Sequence, residues 1–359
     1  MVHVILASAV LIALLGKKRS RYALPAGFFV LFMFAALRYM YGNDYRGYLS
    51  EYIAIRQGWR SQFDDEVLFK LLNQISPSFY ILIAITSLIF ILAVYKLVKQ
   101  NLSRRYAWMG LFIFVVSPYI FLVNLSAMRQ CLAMVVFMAA VRYGMERKWL
   151  PYVLLIVISA LFHKSAVILL PVYLILGGKQ FKKWHAVIVL AGILLLTLLV
   201  DFNALIQRSV GWFKDANYIY YANSGQHNSL RATLLTGIYF AYVLLNMDKL
   251  EGKQLVYAKL SLIGYGIGIL AFQVSVLTRI QMYFDIFTII TIPTIMETIN
   301  AKGKIPVNLE KPQETVWRCV NKYVFPTLII MVYFLRYYSF FTIPTWEPFY
   351  TYKTIFSIM

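Results

Sequence analysis

Charge is scarce in this sequence: Asp, Glu, Lys and Arg together make up 14% of its 359 residues, against about 25% in soluble domains. Acids are the scarcer half, 15 against 35 Lys and Arg, which leaves a formal charge of +20. In a soluble chain that excess would point to nucleic acid. Here the basic residues punctuate apolar segments, and neither an RNA-binding module nor a glycine-rich phosphate loop is present, so no nucleic-acid partner is expected. Cysteine is nearly absent. Cys131 sits in an apolar stretch and Cys319 in a basic linker, which supports neither a disulfide framework nor a thiolate zinc site. No compact cluster of Asp and Glu resembles a magnesium site, and no metal or cofactor is expected.

What is abundant is apolar. Hydrophobic residues reach 61%, aromatics 17%, and mean hydropathy is +0.68. The fold class expected is an all-α polytopic integral membrane protein, a single transmembrane domain over 1–359. About 20 residues cross the hydrocarbon core, and apolar runs lie near 2–16, 24–41, 77–95, 106–123, 127–141, 149–162, 165–177, 185–201, 230–247, 254–273, 279–297 and 323–341. That makes about 12 membrane segments. Lipid offers no partner to a free backbone N–H or C=O, so most must be helical.

Orientation follows from six basic groups: Lys17 to Arg21, Lys96 to Arg105, Arg142 to Lys148, Lys179 to Lys183, Lys249 to Lys259, and Lys302 to Lys322. Lys and Arg favour cytoplasmic loops, which places all six inside and both termini outside. The first segment does not read as a cleaved signal peptide, because its positive cluster follows the apolar stretch. Residues 42–76 then form an outer loop with short interfacial helices, 202–229 a second outer loop, and 298–322 a cytoplasmic linker able to meet anionic lipid. Residues 149–177 pose a conflict. As one tilted helix they would put two basic groups on opposite sides. A hairpin broken at His163-Lys164 keeps both inside, but each arm would extend only about 18–21 Å, short of a core about 30 Å thick. A broken or re-entrant helical hairpin lining a polar cavity resolves this; one continuous helix with reversed topology beyond it is the alternative.

Arg38, Arg129 and Arg279 lie inside or beside apolar runs, where an unpaired charge costs several kcal/mol. They are therefore site candidates, with a structural ion pair or a snorkelling side chain as the bland reading. After the Gly42-Asn43 turn, Asp44, Tyr48 and Glu51 recur on one face of a short helix with Tyr45 and Tyr52 beside it. This would make a ledge of carboxylates and aromatics suited to sugars, or an interfacial aromatic belt. Arg129 heads a helix, where free N–H groups already favour an anion. Arg279 and Tyr283 share a helical face. Three arginines on one membrane face suit a pyrophosphate. His163, at the hairpin break beside Lys164, is a candidate base or acid and equally a hydrogen-bonded core histidine. Asp44 is the other candidate base.

Four blocks resemble the EpsG-type membrane proteins, relatives of Wzy polysaccharide polymerases: Arg38…Gly42-Asn43-Asp44-Tyr45…Tyr48; Met128-Arg129-Gln130…Ala133; Ala160-Leu161-Phe162-His163-Lys164-Ser165-Ala166 with Pro171; and Arg279…Tyr283 with Pro293. They run in the family's order across residues 38–293. The resemblance implies a GT-C-like glycosyltransferase of the bacterial cytoplasmic membrane, its active site facing outside. It would join undecaprenyl-pyrophosphate-linked oligosaccharide repeat units, donor and acceptor both lipid-linked, with the lipid pyrophosphate as leaving group; a chain-length regulator is a candidate partner. Arg129 and Arg279 would stabilise the pyrophosphate as its charge develops, with Arg38 in support. Asp44 or His163 would activate the acceptor hydroxyl, while Tyr45, Tyr48, Lys164 and Tyr283 would bind substrate. Competing readings are a flippase of lipid-linked sugars, another lipid-linked glycosyltransferase or ligase, and a membrane O-acyltransferase. A flippase would predict an internal repeat, and the dissimilar outer loops show none.

Overall fold

The computed structural model describes residues 1–18, 20–177, 183–201, 230–274, 276–302 and 312–358. The outer loop expected at 202–229 and residues 303–311 of the linker lie outside the described residues. Helices dominate, and the described chain divides into two compact units, Met1–Gly178 with Leu335–Met359, and Lys179–Phe334.

The first unit contains α1 (Val2–Gly16), α2 (Ala23–Ala36), the short strand β1 (Arg38–Tyr39), α3 (Tyr45–Arg56), α4 (Val67–Ile75), α5 (Phe79–Asn101), α6 (Ala107–Val116), α7 (Leu122–Ser126), α8 (Met128–Met145) and α9 (Trp149–Phe162). A 3₁₀ helix (Lys164–Val172) and α10 (Tyr173–Leu176) follow. The second unit contains α11 (Lys183–Leu199), α12 (Leu230–Asn246), α13 (Gly252–Leu270), α14 (Leu277–Asp285), α15 (Thr288–Lys302) and α16 (Pro312–Cys319). After a π-helical turn at Val320–Val324, α17 (Phe325–Phe340) ends in the first unit.

Every apolar run of the sequence thus contains helix, and the lengths of these helices differ. Among the described residues, Phe79–Asn101 and Val316–Phe340 are long and apolar enough to cross a membrane alone. A third crossing arises if α14 and α15, bent by 40° at their junction, count as one. The run at 24–41 stops helical geometry at Ala36, and that at 106–123 breaks at Ser117-Pro118, between α6 and α7. Proline lacks the N–H that would continue the ladder. The shorter apolar helices, of 10–17 residues, reach only about 15–26 Å each.

The conflict at 149–177 resolves as a break. His163 is extended (φ −157°, ψ 114°), and the chain folds back on α9. Tyr152 Oη donates to the Leu169 carbonyl at 2.6 Å, and Tyr173 Oη to the Arg147 carbonyl at 3.0 Å. The return arm is a nine-residue 3₁₀ helix containing Pro171, far longer than the usual 3–4 residues. It packs closely because Gly144 leaves room: a Cβ there would lie 2.2 Å from Leu176 Cδ1. Ser159 Oγ ties the hairpin to α8 through the Ala133 carbonyl at 2.7 Å. One continuous helix is excluded.

The C-terminal segment straps the turn that precedes α3. Arg38–Tyr39 pairs antiparallel with β2 (Lys353–Thr354). The Gly42 N–H donates to the Pro348 carbonyl at 3.2 Å, and Tyr352 Oη to the Phe34 carbonyl at 2.8 Å. Gly42 adopts φ +99°, and a Cβ there would sit 3.1 Å from Ser126 Cβ and 3.3 Å from Phe349. Gly58 also has a positive φ (+72°) but faces open space. Both Gly→Ala changes should cost about 1–2 kcal/mol from backbone strain, and Gly42→Ala more than Gly58→Ala because it also displaces the strap. Thermal melting of the two variants in detergent checks this; equal shifts would mean the strap contact contributes nothing.

Candidate functional site

The tyrosines of α3 face inward. Tyr45, Tyr48, Tyr52 and Ile55 recur at helical spacing and are buried against Phe63, Phe69 and Phe79. The exposed ledge expected from the sequence is therefore corrected: Asp44 is exposed at the N-terminus of α3, while the aromatic rings form the core beneath it. The ring of Tyr48 lies 5.6 Å from Phe63 and 5.7 Å from Phe69, and that of Tyr45 lies edge-on to Phe79 at 5.3 Å. Glu51 holds the loop before α4: its Oε2 accepts from Ser61 Oγ at 2.6 Å and from the Gln62 N–H at 3.2 Å.

That loop delivers Glu66, the residue at which the site converges. Glu66 precedes the first turn of α4, yet its carboxylate does not cap its own helix. Instead Oε2 accepts from Arg129 Nη1 at 2.6 Å. Oε1 accepts from His163 Nδ1 at 2.8 Å and from the Lys164 backbone N–H at 3.4 Å. The carboxylate side chain is 4% exposed, whereas Arg129 and His163 are 21% and 15% exposed. The anion therefore lies underneath and the two cation-capable groups lie nearer the surface. Burial pushes the Glu66 carboxyl up, but the hydrogen bond from His163 and the charge of Arg129 outweigh it, and the net shift is below the ordinary carboxylate value.

Each partner is positioned by its helix. Arg129 sits in the first turn of α8, its guanidinium 4.2 Å above the Phe63 ring, and its Nε and backbone N–H both donate to Tyr48 Oη at 3.4 Å. His163 is held at the hairpin break. An ionised carboxylate only accepts, so the His163 proton resides on Nδ1 and Nε2 is left as the free imidazole nitrogen. The Lys164 side chain pairs with Asp65 beside it, both well exposed. Asp44 lies one turn before Tyr48, and its backbone N–H donates to Ser126 Oγ at 2.9 Å.

The remaining candidates lie elsewhere. Arg38 is 2% exposed. Its guanidinium donates to the Ala35 carbonyl, to Ser87 Oγ at 2.8 Å and to the Leu125 carbonyl at 2.9 Å, joining α2, α5 and α7. Arg279 and Tyr283 belong to the second unit, on α14. Tyr283 is fully buried and Arg279 partly exposed. Gly264 and Gly268 of α13 let α14 approach closely: a Cβ on either would come within 2.9 Å of Asp285 or Gln281. Among the described residues, no group of three or more His, Cys, Asp or Glu side chains is arranged to hold a metal ion.

Glu66 is the residue that sequence reasoning passed over. Its signal was the acidic run Asp64-Asp65-Glu66 directly before the apolar period that begins α4, a pattern that marks a helix start. Its partners are 63 and 97 residues away in sequence, and no local pattern reveals them.

Comparison with curated proteins and with solved structures gave no match. The model of the EpsG family, which groups Wzy-type and exopolysaccharide polymerase-like proteins, matches residues 21–309. That interval contains α2 through α15 and every residue of the Glu66 cluster. With its apolar helices and a match over most of its length, this integral membrane protein belongs to the EpsG family.

Proposed function

We propose that the chain polymerises undecaprenyl-pyrophosphate-linked repeat units on the outer face of the cytoplasmic membrane, and that the Arg129–Glu66–His163 cluster is part of its reaction centre. The observation that carries this reading is one buried carboxylate shared by a helix-start arginine and a histidine at a membrane-hairpin break. Family membership supports a polymerase-type role.

In the proposed step, the hydroxyl of the acceptor's terminal sugar attacks the anomeric carbon of the donor glycan. The new C–O bond forms as the bond to pyrophosphate breaks, and undecaprenyl pyrophosphate leaves with the electron pair. The hydroxyl proton passes to His163 Nε2, the nitrogen that the Glu66 contact leaves free. Glu66 orients the imidazole, the role that a carboxylate plays beside a histidine base. Arg129, at the positive end of α8, takes the developing pyrophosphate charge. The leaving group competes with Glu66 for the guanidinium, so the carboxylate holds Arg129 in place between turnovers. Lys164 and Tyr48 are proposed to help bind the substrate. Arg279 is proposed as a phosphate ligand and Tyr283 as a substrate-binding residue. Asp44 is proposed as an acceptor-sugar ligand and Tyr45 as its aromatic support. Arg38 acts as the framework that fixes α2, α5 and α7 around the site. Charge stabilisation by guanidinium groups makes metal independence part of the proposal. Neither the family match nor the described residues supply a reason to add a chain-length regulator.

Polymer synthesis by membranes carrying single variants tests these roles. Arg129→Ala and Arg279→Ala should each reduce polymer at least about 100-fold at normal protein level, and His163→Ala by about 100- to 10,000-fold. Asp44→Asn should retain measurable polymer. Full-length polymer from His163→Ala, with none from Asp44→Asn, would move the base to Asp44.

The Glu66 network also predicts a pH dependence. Its carboxyl is held below its unfolded value near 4.3, so its contribution to stability is complete above that value and is lost as pH falls through the lower folded pKa. The difference in melting temperature between wild type and Glu66→Gln should therefore shrink as pH falls below about 4. A difference that already declines between pH 7 and 5 would contradict the ionised, doubly hydrogen-bonded carboxylate.

A further inference from the structure

At the far end of α5 the first unit holds a cavity of about 190 Å³, between α1, α2, α5 and α6. α5 has 23 residues, so its C-terminal end lies about 34 Å from its start. At that start, Phe79 packs against Tyr45 in the aromatic cluster under Arg129. The cavity is thus separate from the candidate reaction centre. Four cationic side chains line it, Lys17, Arg21, Lys99 and Arg104, over an apolar wall that includes Leu24 and Trp108.

These charges lack neutralising acids. The sequence contains no Asp or Glu in residues 1–43 or 67–145, the two stretches that build the cavity. None of the four takes part in the ion pairs found among the described residues. Aromatic faces hold three of them instead: Lys17 Nζ lies 4.8 Å from the Trp108 ring centre, Arg21 Cζ 4.9 Å from that of Tyr22 and Lys99 Nζ 5.4 Å from that of Tyr95. A ring face positions an ammonium group without cancelling its charge. The apolar surface continues beyond the rim, where Leu11 and Leu15 of α1 are 50% and 73% exposed.

We propose that this cavity binds the phosphate headgroup of one anionic phospholipid, whose acyl chains lie along the exposed apolar face of α1. Converging guanidinium and ammonium groups match phosphate oxygens, and basic pockets between membrane helices recognise lipid headgroups by this chemistry. A free phosphate would satisfy the cations but leave the adjoining apolar face without an occupant, which favours the lipid.

Native mass spectrometry of the full-length protein, released from micelles containing equal phosphatidylglycerol and phosphatidylcholine, tests this. Wild type should retain one phosphatidylglycerol in clear preference to phosphatidylcholine. Removing two cations in Lys17→Gln/Arg104→Gln should weaken that preference about thirtyfold, at about 1 kcal/mol per cation. Lys18→Gln/Arg105→Gln, which removes two exposed charges nearby that do not line the cavity, should leave it unchanged. If the first double variant does not purify as folded protein, Arg21→Gln/Lys99→Gln, at two exposed lining positions, serves the same purpose. Equal loss in the control variant, equal retention of phosphatidylcholine, or displacement of phosphatidylglycerol by inorganic phosphate at equal concentration would each overturn the proposal.

Discussion

A carboxylate kept charged while 4% exposed must be compensated where it sits. Glu66 meets that demand with three donors drawn from two separate elements: the guanidinium of Arg129 at the start of α8, and the imidazole and following N–H at the hairpin break. The arrangement works in both directions. The anion fixes the arginine's position and the histidine's tautomer, and these groups hold the carboxyl ionised. Removing one member would leave the others buried with unmatched charge or hydrogen-bonding capacity, so α3, α4, α8 and the hairpin are coupled through one oxygen pair.

The hairpin break has a cause of the same kind. Backbone groups at membrane depth need partners, and His163 is extended, so its turn cannot be satisfied by a helical ladder alone. Glu66 accepts from the Lys164 N–H, and the His163 carbonyl accepts from the Ala166 N–H at 3.0 Å. The return arm then remains close to α8 and α9 through Tyr152, Tyr173 and the space left at Gly144. A break in the helix thus creates a polar position between apolar arms.

Much of this was legible in the sequence, for reasons that are local. Hydropathy located the helices, basic flanks required the chain to turn near His163, and Gly42-Asn43 marked the turn before α3. Arg129 was readable as a helix-start cation. What was not legible depends on contacts between distant segments. The period of α3 did not say which face would be covered, and Tyr45, Tyr48 and Tyr52 turned inward because Phe63, Phe69 and Phe79 met them. Arg38 read as a charge awaiting an anion, but its two Nη atoms donate to two carbonyls and a serine hydroxyl. Glu66 looked like one acid among three until the fold brought Arg129 and His163 to it. Apolar run lengths also concealed the breaks at Pro118 and between α14 and α15.

The most direct test of the account uses purified full-length protein in nanodiscs, with a lipid-linked repeat unit as the sole substrate and products read by gel and mass spectrometry, with and without EDTA. The account predicts a ladder of repeat-unit multiples that survives EDTA and disappears when His163 or Arg129 is replaced by alanine. Movement of the intact lipid-linked unit across a vesicle bilayer, with no ladder from well-folded protein, would contradict it and assign the chain to transport.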